Sequence, residues 1–204
     1  MRRLFLLALL LIFPACGGQA KEASPKTLAR LPRDARVAIY ESENDVMIAE
    51  ARRDDAVMAV EELDQETRSV ENRFRRSRER LVKSGEGERV SLLGPVTTAR
   101  RKYLLALYEA SRARLSRATV EVRLARARLR KIKQEQLVRY HLAPESSLAL
   151  LEREITSREE EARRAETREV DLKNEATRLM EEWQLTLDEH ARATGDYDTG
   201  TWID

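Results

Sequence analysis

Glycine and proline are scarce in this chain, seven and five among 204 residues, which excludes collagen-like, linker-like and turn-rich all-β architectures. Cysteine is rarer still. The single Cys16 excludes an intramolecular disulfide framework, and two histidines set far apart leave little from which to build a transition-metal site. Aromatic residues supply only 5% of the chain while charged residues supply 36%, an unusual richness of charge for a compact globule. What is present in abundance points to long helices. No cofactor is expected, and catalysis is disfavoured on composition alone.

The first residues differ from the rest. Met1, Arg2 and Arg3 form a basic start, and Leu4 to Phe13 is an unbroken apolar run of ten residues, about 15 Å as helix and half of what a bilayer core requires. It reads as an export signal over residues 1–15, not as a membrane span. Pro14 and Ala15 then precede Cys16, and this stretch resembles a bacterial lipoprotein signal. The resemblance covers the first sixteen residues and departs from the usual pattern at Phe13 and Pro14. It implies cleavage before Cys16, a thioether-linked diacylglycerol on that residue and attachment to a membrane through the covalent lipid. Gly17 stands where an inner-membrane retention signal usually has Asp, so the resemblance favours the outer membrane, on its periplasmic face. Loss of Arg2 and Arg3 with the signal leaves 36 basic and 36 acidic side chains. A neutral mature chain outside the cytoplasm argues against a nucleic-acid partner.

The positions of glycine and proline divide the remainder. Stretches 34–83, 96–143 and 145–194 contain neither and are filled with Ala, Leu, Arg, Glu and Lys, which predicts three long helices with those bounds. Pro95 and Pro144 fit the first turns of the second and third helices, and Ser84-Gly85-Glu86-Gly87 fits a stop for the first. Each helix carries apolar or small residues in 4-3 alternation, the seam of a coiled coil. In the first helix the seam runs from Val46 through Ala49, Arg53, Ala56 and Val60 to Leu81. In the second it runs Tyr108, Ser111, Leu115, Ala118, Val122, Ala125, Leu129, Ile132, and in the third from Leu148 to Trp183 with Arg158 and Glu169 as polar interruptions. Residues 34–65 hold ten acids against three bases, net −7, and residues 112–139 hold ten bases against two acids, net +8, so an antiparallel hairpin brings opposite charges together. The third helix, with fourteen acids against eight bases over 143–193, can flank the second on its other side. The predicted fold is all-α: an up-down-up antiparallel coiled-coil bundle, spectrin-like and slender. Thin seams leave open whether the helices close on themselves or are completed by another copy, as a homo-oligomer, or by a partner's helix.

Sites are few. Neither His141 nor His190 has a glutamate three or four residues before it, so the di-iron helical motif is absent, and both are expected to be solvated or terminal. No zinc-protease motif, phosphate loop or dinucleotide fingerprint occurs. The basic run containing Arg123, Arg126, Arg130 and Lys133 either neutralises its helical neighbours or forms a docking patch for an anionic partner. Gly17 to Arg33 reads as a flexible polar linker behind the lipidated cysteine. In the tail, residues 195–204, Tyr197 and Trp202 are candidates for partner binding. Together these features predict a non-enzymatic, lipid-anchored envelope protein with a spacer, scaffold or docking role and an envelope protein as partner. One alternative is an accessory subunit of an efflux or secretion complex. The hairpin from Arg78 to Leu129, with Leu81 and Ser91 near its tip, is similar to that of periplasmic adaptor proteins, although the tip spacing differs and no β-rich segments flank it. A periplasmic holding chaperone is the other alternative.

Overall fold

A computed structural model describes residues 24–83, 85 and 87–195. The export signal, Cys16, Gly17 and the tail beyond Gly195 lie outside these residues. The described chain is all-α. A four-residue helix α1 (Pro25–Leu28) precedes three long helices, α2 (Arg33–Lys83), α3 (Gly87–Arg139) and α4 (Leu148–Thr194), with one 3₁₀ turn (Glu145–Ser147) before α4. At 51, 53 and 47 residues the long helices measure about 70–80 Å each. They run up, down and up, antiparallel, as the sequence predicts.

Three boundaries differ from expectation. The second helix begins at Gly87 rather than 96, so Pro95 lies inside it and not in its first turn. Gly94, having no Cβ, relieves the clash that a proline ring imposes on the residue before it. The Thr97 hydroxyl lies 3.0 Å from the Leu93 carbonyl and 2.9 Å from that of Gly94, while the Thr98 hydroxyl donates to the Gly94 carbonyl at 2.8 Å. These bonds supply local polar partners where the ladder is perturbed. At its other end α3 stops at Arg139, four residues early. His141 takes the left-handed conformation (φ 56°), and the N–H of Leu142 reaches the Leu137 carbonyl at 2.7 Å while that of His141 reaches Val138 at 2.9 Å. This is a Schellman cap, completed by Leu137 and Leu142 sharing one apolar cluster. Pro144, extended at φ −77° and ψ 147°, then caps the 3₁₀ turn, and α4 begins at Leu148 rather than 145.

The expected linker is also shorter. From Ser24 onward the chain is folded: the Ser24 hydroxyl caps α1 by accepting from the Thr27 N–H at 3.2 Å. Leu28 and Leu31, three residues apart, join Ala35, Ile39 and Leu137 in an apolar cluster at the base of the molecule. The Tyr140 hydroxyl closes this base by donating to Asp34 Oδ2 at 3.0 Å. That bond holds the Asp34 carboxyl below its ordinary range, and burial, then the same bond, push the Tyr140 phenol up.

The seams explain how the helices pack. On α2 every seventh residue is buried, Ala35, Ser42, Ala49, Ala56, Leu63 and Val70, with half-buried Val46, Val60, Thr67 and Phe74 between them. The side chains of Ser77 and Leu81, the last two predicted seam positions, lie outside the description. On α3 the predicted seam, including buried Ala118 and Val122, faces α2. A second seam, absent from the sequence reading, faces α4: Val96, Ala110 and Leu124 recur every fourteen residues, as do Ala99, Ala113 and Ala127. At 3.5 residues per turn the two seams lie about 150° apart around α3. The consequence is visible in the packing: α3 is the central helix, in contact with α2 on one side and α4 on the other, while α2 and α4 barely meet among the described residues. The bundle is therefore open, and nearly a single layer. Alanine at four of the six buried second-seam positions allows α3 and α4 to approach closely at the expense of a thick core.

Candidate functional site

The basic face of α3 is distributed to both neighbours. On the α2 side Arg126 Nη2 lies 2.6 Å from Glu50 Oε1 and Lys133 Nζ 2.8 Å from Glu43 Oε1. On the α4 side Arg130 Nη2 lies 2.6 Å from Glu154 Oε1, Arg128 Nη2 2.8 Å from Glu159 Oε1 and Lys131 Nζ 3.3 Å from Glu152 Oε1. Of the four basic residues singled out for partner binding, Arg126, Arg130 and Lys133 thus hold ion pairs within the chain. Arg123 is exposed and has no ion-pair partner among the described residues. Tyr197, Trp202 and the lipidation candidate Cys16 lie outside those residues. Exposed pairs of this kind contribute tenths of a kcal/mol each. Their main effect is to fix which helix lies where, since the acidic half of α2 and the acidic α4 both match α3 in this register.

Midway along the α3–α4 seam the pairing is buried. Glu169, a predicted polar interruption, is only 4% exposed. It accepts from Lys173 Nζ at 2.7 Å and from Arg117 Nη1 at 3.4 Å, and Arg117 is held further by Glu121 at 2.8 Å and Glu166 at 3.2 Å. Burial pushes the Glu169 carboxyl upward, but the Lys173 hydrogen bond and the two cationic charges outweigh it, so the net shift is downward. A charge is retained in the seam because its partners are built around it.

The hairpin end brings a different set together. Tyr103 of α3 stacks on Trp183 of α4, with centroids 5.8 Å apart and planes within 7°, and the buried Arg100 guanidinium lies 5.1 Å from the Trp183 ring centroid. The buried Trp183 Nε1 has no hydrogen-bond partner among the described residues. Beside this cluster α2 and α3 leave an open groove of about 880 Å³ lined by Val70, Phe74, Gly94 and Leu104 together with Arg75, Arg78 and Arg101. No groove is foreseen here from the sequence. Its available signals were the Gly94-Pro95 pair inside a helix and the seven-residue spacing Val96, Tyr103, Ala110 that sets the second seam. The histidines divide: His141 is exposed, but His190 is 8% exposed on the α4 seam and not solvated, because it follows Trp183 and Thr186 in the same 4-3 register. Among the described residues no three His, Cys, Asp or Glu side chains converge to hold a metal ion, and no helix is long and apolar enough to cross a membrane. Comparison of the chain with protein-family models, curated proteins and solved structures gives no match.

Proposed function

We propose that this chain is a lipid-anchored envelope lipoprotein of the outer membrane, whose helical rod serves in the periplasm as a non-enzymatic spacer and docking scaffold. The observation that supports this reading most is the polarity of the rod. Ser24, the first described residue, lies at the base, eight positions after Cys16, a separation of at most about 28 Å of extended chain. The α2–α3 turn around Gly85 lies at the other end of α2, 51 residues and about 75 Å away. A lipid on Cys16 holds the base near the membrane and presents the hairpin end at a distance. Two or three acyl chains, each contributing on the order of 0.8 kcal/mol per buried methylene, make such an anchor nearly permanent.

Intact mass and membrane fractionation of the native protein beside Cys16→Ser test the proposal. The native chain is expected to lack residues 1–15, to carry the mass of a diacylglycerol modification and to sediment with outer membranes, whereas Cys16→Ser is expected to be unmodified and released. Soluble, unmodified native protein refutes the anchor and with it the spacer role.

A further inference from the structure

The α2 face turned away from α3 carries a second apolar stripe that nothing among the described residues covers. Val37, Tyr40, Met47, Ile48, Ala51 and Met58 are exposed, Tyr40 and Met47 by 64% and 66%. All but Ile48 keep the 4-3 spacing, with Asn44 and Asp54 as polar steps. On α2 this stripe lies about 150° from the seam that meets α3. The same angle separates the two working seams of α3. The stripe therefore sits where one more helix would continue the layer, and at 22 residues it is about 33 Å long.

Charge identifies the occupant. The acids that face α3 are used: Glu43 and Glu50 pair with Lys133 and Arg126. Those flanking the outer stripe, Glu41 and Asp55, and those just past its end, Glu61 and Glu62, have no ion-pair partner among the described residues. We infer that this face docks an amphipathic helix of a partner protein, with an apolar seam of three heptads flanked by lysine or arginine. A second copy fits poorly. An antiparallel α2 pair that sets apolar stripe on apolar stripe also sets acid on acid. Sliding it so that the acids meet the basic end of α2, from Arg73 to Lys83, moves the stripe onto Gln65, Arg68, Asn72 and Arg75. An anionic lipid surface is repelled by the same acids.

The inference deepens the scaffold reading, and rests on it only for where the partner is met. Its test uses the chain from residue 16 to 204 with Cys16→Ser, so a failure of lipid anchoring does not alter it. Two labelled synthetic helices of three heptads are titrated by fluorescence anisotropy, both with Leu at the seam positions, one with Lys and one with Glu on the flanks. The Lys helix is expected to bind at least about ten-fold more tightly than the Glu helix. Met47→Glu with Met58→Glu is expected to weaken it by a further ten-fold or so, with an unchanged melting curve, and Leu185→Glu on α4 to leave binding intact. Equal binding of both helices, no binding of the Lys helix, or indifference to the Met47/Met58 change overturns the inference. So does a concentration-dependent dimer in sedimentation equilibrium that Met47→Glu abolishes, which would assign the face to a second copy.

Discussion

Glu169→Gln removes one buried charge and leaves the side-chain shape almost unchanged, so its cost can be worked from the contacts. The carboxylate accepts one short bond from Lys173 at 2.7 Å and one long bond from Arg117 at 3.4 Å. Arg117 keeps Glu121 and Glu166, and Lys173, 60% exposed, returns to water. One strong charge-assisted bond and one weak bond are lost, about 1–2 kcal/mol at neutral pH, or a fall of about 3–6 °C in Tm for a chain of this size. The pH dependence has a fixed sign. Because the folded-state pKa is lowered, the stabilisation is fully present above the unfolded value of about 4.3 and is lost as pH falls through the lower folded value. Urea unfolding followed by far-UV circular dichroism should therefore separate wild type from Glu169→Gln at neutral pH and bring them together as the pH falls below the lowered folded-state value. Glu169→Leu supplies an internal control, since a seam position between Ala165 and Leu172 accepts an apolar residue and Arg117 remains paired; it should fall within about 1 kcal/mol of wild type. A Glu169→Gln cost below about 0.5 kcal/mol at neutral pH, or one that persists unchanged in acid, refutes the reasoning.

Other substitutions probe the remaining features. His141→Gly relieves the left-handed strain of the α3 cap and should stabilise the chain by about 0.5–1 kcal/mol in urea unfolding, the gain reduced by glycine's larger entropy loss. Trp183→Ala removes the ring that Tyr103 and Arg100 both contact and should cost about 2–4 kcal/mol, while Trp183→Phe, which keeps a stacking ring and drops the unpartnered Nε1, should cost clearly less by the same assay. Ala127→Leu overfills the second seam of α3, where Ala127 is 0% exposed, and should cost about 1–3 kcal/mol. Ser116→Leu on the exposed face of α3 should change stability by less than about 0.5 kcal/mol in thermal melts.

The helices themselves were legible because breakers and formers are so cleanly separated. The seam of α2 was legible because only one of its faces is packed. On α3 the seam toward α2 is legible and the one toward α4 is not, for a physical reason. Apolar residues on two nearly opposite faces cancel in any search for a single stripe, and alanines such as Ala99, Ala113 and Ala127 resemble generic helix formers until their seven-residue spacing is noticed. Pro95 misled because a proline is a poor guide when glycine precedes it and threonine hydroxyls follow it. Leu28 and Leu31 were hidden in a polar stretch, since their partners Ile39 and Leu137 come from two different helices and cannot be seen locally. For the site, ion pairing of Arg126, Arg130 and Lys133 follows from net charge by segment, whereas the Tyr103–Trp183–Arg100 cluster requires the register between α3 and α4.

The central structural feature is that α3 stands between α2 and α4 and, among the described residues, the outer face of α2 is left free. Double electron–electron resonance tests it directly, with spin labels at exposed positions of equal height, Glu62 on α2, Arg114 on α3 and Asp171 on α4, in a Cys16→Ser background. For seams about 150° apart and neighbouring axes about 9–10 Å apart, the α2 and α4 axes lie about 18 Å apart. The Glu62–Asp171 label distance is expected to exceed both the Glu62–Arg114 and Arg114–Asp171 distances by about 8 Å. Three equal distances would mean a closed triangular bundle and would contradict it.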